Sequence, residues 1–302
     1  MSWKLTFQLS WYVYSSFPLL PSIMSTCTIE WNGIDEKYKN RMESPVQFEC
    51  TCIFTDIFIA HALFIYIFSP IYLQQNKHLS NRKVAAIMLE ALQGEGGIIT
   101  GDPEYFALAR KLCDETGALL ICDEVQVGMG RSGKLWGFEN LDVIPDVFTS
   151  AKALGGGVPI GALLARGEAA DVLVPGTHAS TYGGNPLACS AALAVAQYMS
   201  DHDLLTNAQV RGDQLSKGLA ELAEKYPSVC AESRGWGLLK GIKIKDDAGV
   251  SAGELVGDAM EEGLLIVAAG PSVVRFVPPL IVSEEEIDAA LEIFERAIQK
   301  HV

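Results

Sequence analysis

Three short runs of the sequence each carry a side chain that could act chemically on a bound small molecule. They are Asp123-Glu124-Val125-Gln126, Ser150-Ala151-Lys152 and Thr181-Tyr182-Gly183-Gly184-Asn185. A lysine amine can hold an aldehyde covalently but reversibly as a Schiff base. A buried carboxylate can keep the nitrogen of a pyridine ring protonated, and a hydroxyl near a helix N-terminus can bind phosphate. Lys152, Asp123 and Thr181 supply one group for each task.

The predicted secondary structure places these runs at the ends of strands and before a helix. Apolar residues over 84–89, 118–122 and 147–150 predict buried strands. Asp102-Pro103-Glu104 predicts the start of a helix that ends at Gly117, and Asn185-Pro186 predicts the start of another. Alternating strands and helices indicate an α/β fold with a mainly parallel sheet, whose chemistry lies at the carboxyl ends of its strands.

The glycine run that follows the lysine has its own expected role. Gly155-Gly156-Gly157 is expected to prevent a helix directly after Lys152 and to let the backbone bend close to a ligand.

The chain divides into three predicted parts. Residues 1–80 form an apolar segment with a single glycine, Gly33, whereas the whole chain has 28 glycines. Residues 81–200 form a partial large domain. Residues 201–302 form a smaller α+β domain, with helices near 204–225 and 253–262, strands over 237–244, 264–268 and 273–277, and a last helix that begins at the capping box Ser283-Glu284-Glu285-Glu286.

The overall charge and the cysteines argue against nucleic-acid and metal binding. The formal net charge is −14, whereas phosphate-backbone binding needs a basic surface. The seven cysteines show no metal-ligand spacing, and Cys50 and Cys52 are too close for a zinc knuckle. We therefore expect no metal site, and a soluble protein of the cytoplasm or of a mitochondrial or plastid matrix.

Residues 53–73 are apolar enough to raise a membrane span, which remains a weaker alternative. The stretch is about 20 residues long, the length that a span needs. Asp56, His61 and Pro70 interrupt it, and a charge near the centre of a bilayer is costly.

A second alternative, nucleotide hydrolysis, is rejected. Gly128 to Lys134 fits the spacing of a phosphate-binding P-loop, but position 135 is Leu where Ser or Thr must hold magnesium.

Three longer stretches resemble the class III aminotransferases, and within them the acetylornithine aminotransferases. They are ALLICDEVQVGMGRSGKLWGFE, PDVFTSAKALGGGVPIGALLA and HASTYGGNPLACSAALA, and the resemblance extends over residues 84–302. It implies fold type I of the transferases that depend on pyridoxal 5'-phosphate (PLP), here a partial large domain and a smaller C-terminal domain.

The resemblance also implies roles for residues of the cofactor site. Lys152 would hold PLP as a Schiff base and carry the proton to and from the substrate, and Asp123 would pair with the ring nitrogen. Val125 would pack on the ring face, and Gln126 would reach the ring hydroxyl. Thr181 would bind the phosphate in the neighbouring subunit, which implies a homodimer with shared sites.

Two further residues would bind substrate in this family. Arg275, in Val274-Arg275-Phe276, resembles the arginine that binds a substrate carboxylate, for which a planar guanidinium is suited. Glu95, in Gln93-Gly94-Glu95-Gly96-Gly97, resembles the glutamate that engages this arginine so that two different substrates can enter in turn.

The implied reaction is transfer of an amino group from N-acetylornithine, or a related ornithine-type donor, to 2-oxoglutarate in arginine biosynthesis. Ornithine and 4-aminobutyrate aminotransferases share these motifs and remain alternatives. Another alternative is an inactive or truncated relative, because nothing in residues 1–80 resembles the family's glycine-containing phosphate loop or its ring-stacking aromatic residue. On that ground the sequence predicts a fragment or altered product with weak cofactor affinity.

Overall fold

The computed structural model describes residues 84–177 and 179–302, together with the backbone of three short strands. These strands are β1 (Phe7–Leu9), β2 (Ser25–Cys27) and β3 (Leu63–Ile65). Apart from them, the predicted segment 1–80 and the apolar stretch 53–73 lie outside the described residues. Among the described residues, we find no helix whose length and apolar character would allow it to cross a membrane.

From residue 84 onward, the chain forms β-strands interspersed with α-helices. The strands are β4 (Val84–Leu89), β5 (Leu92–Gln93), β6 (Ile99–Thr100), β7 (Leu119–Asp123), β8 (Val147–Ser150), β9 (Ala162–Ala165), β10 (Cys230–Trp236), β11 (Leu239–Ile244), β12 (Val267–Ala268) and β13 (Val273–Phe276). The α-helices are α1 (Pro103–Thr116), α2 (Pro186–Asp201), α3 (Leu204–Lys225), α4 (Ala252–Glu261) and α5 (Glu284–Gln299). Short 3-10 helices span Gly137–Asn140, Lys152–Gly155 and Gly167–Asp171.

A five-stranded sheet carries the N-terminal half of the described residues. Its order is β3-β4-β7-β8-β9, in which β3, β4, β7 and β8 are parallel and β9 is antiparallel at one edge. The β4 strand is apolar, and four of its six residues are buried, as expected for a strand covered on both faces. The predicted α/β fold with a mainly parallel sheet is confirmed.

Capping side chains fix where the helices begin. The Asp102 carboxylate accepts hydrogen bonds from the backbone N–H groups of Glu104 and Tyr105, at 2.7 and 3.1 Å, so that α1 begins at Pro103. Asn185 caps α2 by accepting from Ala188 N–H at 3.0 Å. Ser283 and Glu286 form the predicted capping box of α5. These three helix starts are confirmed.

Two local predictions were wrong. The Cys230–Trp236 strand was not predicted, because its sequence CAESRGW lacks an alternating apolar pattern; antiparallel pairing with β11 supplies its hydrogen bonds.

A single 3-10 turn does form over Lys152–Gly155. Gly156 adopts φ 58° directly after it. Glycine tolerates this left-handed conformation, so the glycine run ends the turn rather than preventing it.

The described chain clusters into two compact units, each with its own core. Of the described residues, the first unit comprises 84–89, 107–126, 143–177 and 179–202, and the second comprises 90–106, 127–142 and 203–302. Residues 90–106 and 127–142 therefore group with the C-terminal residues, although other segments separate them in the sequence. In the second unit, the buried faces of α3 and α5 pack with β11 and β13. In this core the rings of Phe276 and Phe294 pack edge to face, with their centroids 5.1 Å apart.

One ion pair between α3 and α5 of the second unit should make stability depend on pH. Glu295 accepts hydrogen bonds from Lys225 Nζ at 2.6 Å and from Tyr226 Oη at 2.7 Å. Both contacts lower the pKa of Glu295 below its ordinary 4.5, and the Lys225 ammonium has the larger effect. Because the folded state favours the carboxylate, this stabilisation is present above the ordinary pKa. It is lost as pH falls through the lowered folded value.

We therefore expect Glu295→Gln to reduce the loss of unfolding free energy between about pH 7 and about pH 3. Urea unfolding at both pH values measures the difference. Glu221→Gln is the matched control, because Glu221 is 66% exposed and lies 3.8 Å from Lys217. If both variants retain the full acid-dependent loss of the wild type, Glu295 does not carry the effect.

Candidate active site

The carboxylate of Asp123 is held at the end of β7 by two neutral donors. Its Oδ1 accepts a hydrogen bond from the backbone N–H of Val125 at 3.0 Å and another from the Thr149 hydroxyl at 3.2 Å. Asp123 is half-buried, and Thr149 is its partner in the parallel pairing of β7 with β8. Among residues 84–177 and 179–302, no group donates to Oδ2, which is free to bind a cation.

Lys152 follows the end of β8 and has an unusual backbone conformation. Its φ is 47°, in the left-handed region that few non-glycine residues adopt and that recurs at functional sites. Its side chain is exposed. The 3-10 turn that it begins packs against α2, and a Cβ on Gly156 would lie 2.7 Å from Val195 Cγ2. The glycine at position 156 thus allows the turn to pack closely on α2. This packing fixes the position of the backbone that carries the Lys152 amine.

Thr181 lies on an exposed loop that leads into α2. The loop is shaped by Ser180 Oγ, which accepts from Gly183 N–H at 2.9 Å, and by the Asn185 amide, which donates to Tyr182 O at 2.9 Å. The Thr181 hydroxyl is exposed a few residues before the N-terminus of α2. The positive end of a helix dipole and free hydroxyls are suited to a phosphate.

Val125 and Gln126 lie two and three positions after Asp123 and are both half-buried in the first unit. The Val125 N–H is one of the two donors to Asp123, so the same short segment positions the carboxylate and presents the Val125 side chain.

In the second unit, Arg275 and Glu95 form an ion pair. Arg275 Nη1 donates to Glu95 Oε1 at 2.6 Å and to Gly94 O at 3.3 Å. The arginine side chain is 13% exposed, whereas the glutamate side chain is 72% exposed. Glu95 thus lies on the solvent side of the pair, and most of the Arg275 side chain is covered.

The loop over 128–135 that fits P-loop spacing has a different contact in the structure. Arg131 Nη1 donates to the carbonyl of Pro278, just after β13, and to Leu238 O at 3.3 Å. Burial lowers the pKa of Arg131 to about 10. This loop therefore braces, within the second unit, the segment that follows the Arg275 strand.

The structure brings some predicted residues into contact and leaves others linked through secondary structure. Asp123 contacts Val125, and Arg275 contacts Glu95. The turn that begins at Lys152 packs on α2, and Thr181 lies on the loop that leads into the same helix. Sequence reasoning missed Thr149, whose only signal is a hydroxyl residue three positions before the lysine, on the strand beside Asp123. Among the described residues, no group of three metal-ligating side chains occurs.

Comparisons with known proteins show consistent similarities. Residues 69–298 match the family model described as aminotransferase class-III. The acetylornithine aminotransferase of Nostoc sp. is 57% identical over 216 residues, which cover 72% of this chain and 50% of the relative. That of Thermosynechococcus vestitus is 59% identical over 216 residues, 72% of this chain and 52% of the relative. The chain thus spans about half the length of the curated relatives it matches.

Solved structures of aminotransferases are also similar to this chain. The ornithine aminotransferase from Toxoplasma gondii superposes with a TM-score of 0.71 and 35% identity, covering 77% of this chain and 55% of that one. The N-acetylornithine aminotransferase from Stenotrophomonas maltophilia superposes with a TM-score of 0.70 and 37% identity, covering 80% and 64%.

The contact between Gly156 and Val195 generates a stability prediction. We expect Gly156→Ala to destabilise the chain by about 2–4 kcal/mol, from left-handed strain on a non-glycine residue together with overpacking. Adding Val195→Ala should recover the overpacking part, leaving about 1–2 kcal/mol of backbone strain. Urea unfolding of the single and double variants checks this. A Gly156→Ala variant as stable as the wild type would show that the close approach is not present in solution.

Proposed function

The chain belongs to the class III aminotransferases, and from this premise we propose that it carries part of an amino-transfer site for N-acetylornithine, with 2-oxoglutarate as the acceptor. The predicted fold type I is confirmed, and this family depends on pyridoxal 5'-phosphate. One observation carries the proposal: Asp123 is fixed by neutral donors, with Oδ2 free, at the end of the strand beside the one that leads to Lys152.

The residues present fit PLP. Oδ2 of Asp123 is available to a protonated ring nitrogen, the Lys152 amine is exposed, and Gly156 leaves the chain close to α2 without a side chain. When bound, PLP supplies an electron sink for the carbanion that forms at the substrate α-carbon.

The chain's own residues would do the rest of the chemistry. Lys152 would hold the cofactor covalently and move the proton at the substrate α-carbon. Asp123 would keep the ring nitrogen protonated, because an ionised carboxylate favours a cation beside it. Val125 would restrict the ring on one face, and Gln126 would bind its hydroxyl.

Thr181 would serve the phosphate in a second subunit, so that a homodimer completes each site. The surface near Thr181 supports this arrangement. Tyr182 and Leu187, one and six positions after Thr181, are 81% and 76% exposed and leave apolar surface in water. A second copy of the chain would cover it and bring its own Thr181 to the neighbouring site.

The Arg275–Glu95 pair would let one site accept two kinds of substrate in turn. With Glu95 in contact, the guanidinium is neutralised and repels no amino donor. With Glu95 turned into solvent, Arg275 would bind a carboxylate of 2-oxoglutarate through two parallel hydrogen bonds. The names of the relatives support an ornithine-type donor and a place in arginine biosynthesis. Donors of the ornithine and 4-aminobutyrate type are the alternatives.

We expect the full chain incubated with PLP and then borohydride to carry a stable adduct on the peptide containing Lys152, because reduction fixes the Schiff base. Lys152→Ala should abolish the adduct, which peptide mass spectrometry detects. Lys217→Ala, at a side chain that is 80% exposed, is the control and should leave it unchanged. A wild-type chain without any Lys152 adduct at saturating PLP overturns the proposal and favours the inactive relative.

The two half-reactions can be measured separately. We expect Glu95→Ala to slow the half-reaction with N-acetylornithine about tenfold, because it leaves the Arg275 charge uncompensated, a difference of about 1.4 kcal/mol. The half-reaction with 2-oxoglutarate should change less than about twofold, since Arg275 remains. Single-turnover rates with each substrate measure both values. Equal slowing of the two half-reactions would contradict the exchange of Glu95 for substrate.

A further inference from the structure

We propose that Thr149 is a positioning residue, whose hydroxyl determines which oxygen of Asp123 faces the ring nitrogen of PLP. The inference rests on the proposed function, since it concerns the same cofactor site. Thr149 touches neither substrate nor cofactor in this assignment and acts through Asp123.

The two oxygens of a carboxylate are equivalent until their surroundings distinguish them. Here Oδ1 receives both available donors, the Thr149 hydroxyl at 3.2 Å and the Val125 N–H at 3.0 Å. Rotation of the carboxylate would break both hydrogen bonds at once. Oδ2 is therefore the oxygen left for a cation, and it keeps its lone pairs for a short charge-assisted hydrogen bond.

The Thr149 hydroxyl is itself held in place by the sheet. Thr149 pairs with Asp123 in the parallel register of β7 and β8, and its carbonyl accepts from the Glu124 N–H at 3.0 Å. Its β-branched side chain has few allowed rotamers. The backbone on both sides of the Asp123 carboxylate is thus tied to one residue of the next strand.

This arrangement makes the effect of Thr149 depend on the ring nitrogen. Without the hydroxyl, only the Val125 N–H orients the carboxylate, which can then rotate away from the cation. A ligand that has no ring nitrogen gains nothing from the orientation of Asp123, and so its affinity should not depend on Thr149. A general packing role for Thr149 would affect both kinds of ligand equally.

The test compares two ligands in two matched variants of the full chain. Thr149→Val removes the hydroxyl at nearly constant shape, and Thr149→Ser keeps it. We expect Thr149→Val to weaken PLP binding about fivefold to tenfold, as for the loss of one typical hydrogen bond. Binding of 1-deaza-PLP, in which C–H replaces the ring nitrogen, should change less than about twofold.

Two further comparisons sharpen the result. Thr149→Ser should restore PLP binding to within about twofold of the wild type, and Thr149→Val should have no further effect on PLP binding when Asp123 is already Ala. Equal weakening of both ligands by Thr149→Val, or no rescue by Ser, overturns the positioning role while leaving the proposed function intact. A wild-type chain that takes up no PLP overturns the proposed function and this inference with it.

A measurement without cofactor tests the underlying contact. In a double-mutant cycle of Thr149→Val and Asp123→Ala, the unfolding equilibrium constants should show a coupling of about fivefold, because the two side chains share a hydrogen bond. Additive effects would show that the contact is absent in solution and would overturn the inference, whatever the chain does with PLP.

Discussion

The parallel pairing of β7 with β8 is the constraint on which the candidate site depends. It sets Asp123 opposite Thr149, and so brings a carboxylate and a hydroxyl that are 26 residues apart to a hydrogen-bonding distance of 3.2 Å. A shift of the register by one residue would turn Thr149 to the other face of the sheet and place Ser150 opposite the carboxylate. The same pairing determines where the chain leaves β8, and hence where the Lys152 turn begins.

Strain at Lys152 is balanced by packing around it. A lysine at φ 47° is unfavourable by itself, and the conformation persists because the neighbouring chain determines it. Ser150 pairs with Ala162 on one side, and the turn after the lysine lies against α2 on the other. The absence of a side chain at Gly156 allows this approach. Packing thus fixes the backbone of Lys152, while its side chain is exposed.

The second unit holds a charged group that is largely out of water. Arg275 lies on a strand of the sheet, with its side chain mostly covered, and its counter-ion Glu95 comes from a short hairpin and lies mostly in solvent. Under the proposed exchange, departure of the exposed Glu95 would leave Arg275 as an uncompensated, largely buried charge until a carboxylate ligand replaces it. Arg131, which is bound to Pro278 O, supports the segment after the same strand.

Much of this protein follows from its sequence alone. The starts of α1, α2 and α5 depend on Asp102, Asn185 and Ser283, whose capping hydrogen bonds reach only two or three residues along the chain. Such local contacts can be predicted from the sequence alone, and so can the parallel strands and the family motifs around Lys152.

The tertiary structure decided the rest. It paired Thr149 with Asp123 and placed Glu95, 180 residues away in sequence, against Arg275. It gave Lys152 its left-handed backbone, made a strand of the polar run Cys230–Trp236, and grouped 90–106 with the C-terminal residues. Each of these outcomes depends on strand register and on packing between distant segments. A stretch of sequence specifies its own hydrogen bonds within a turn or two, but its distant partners are selected only when the whole sheet forms.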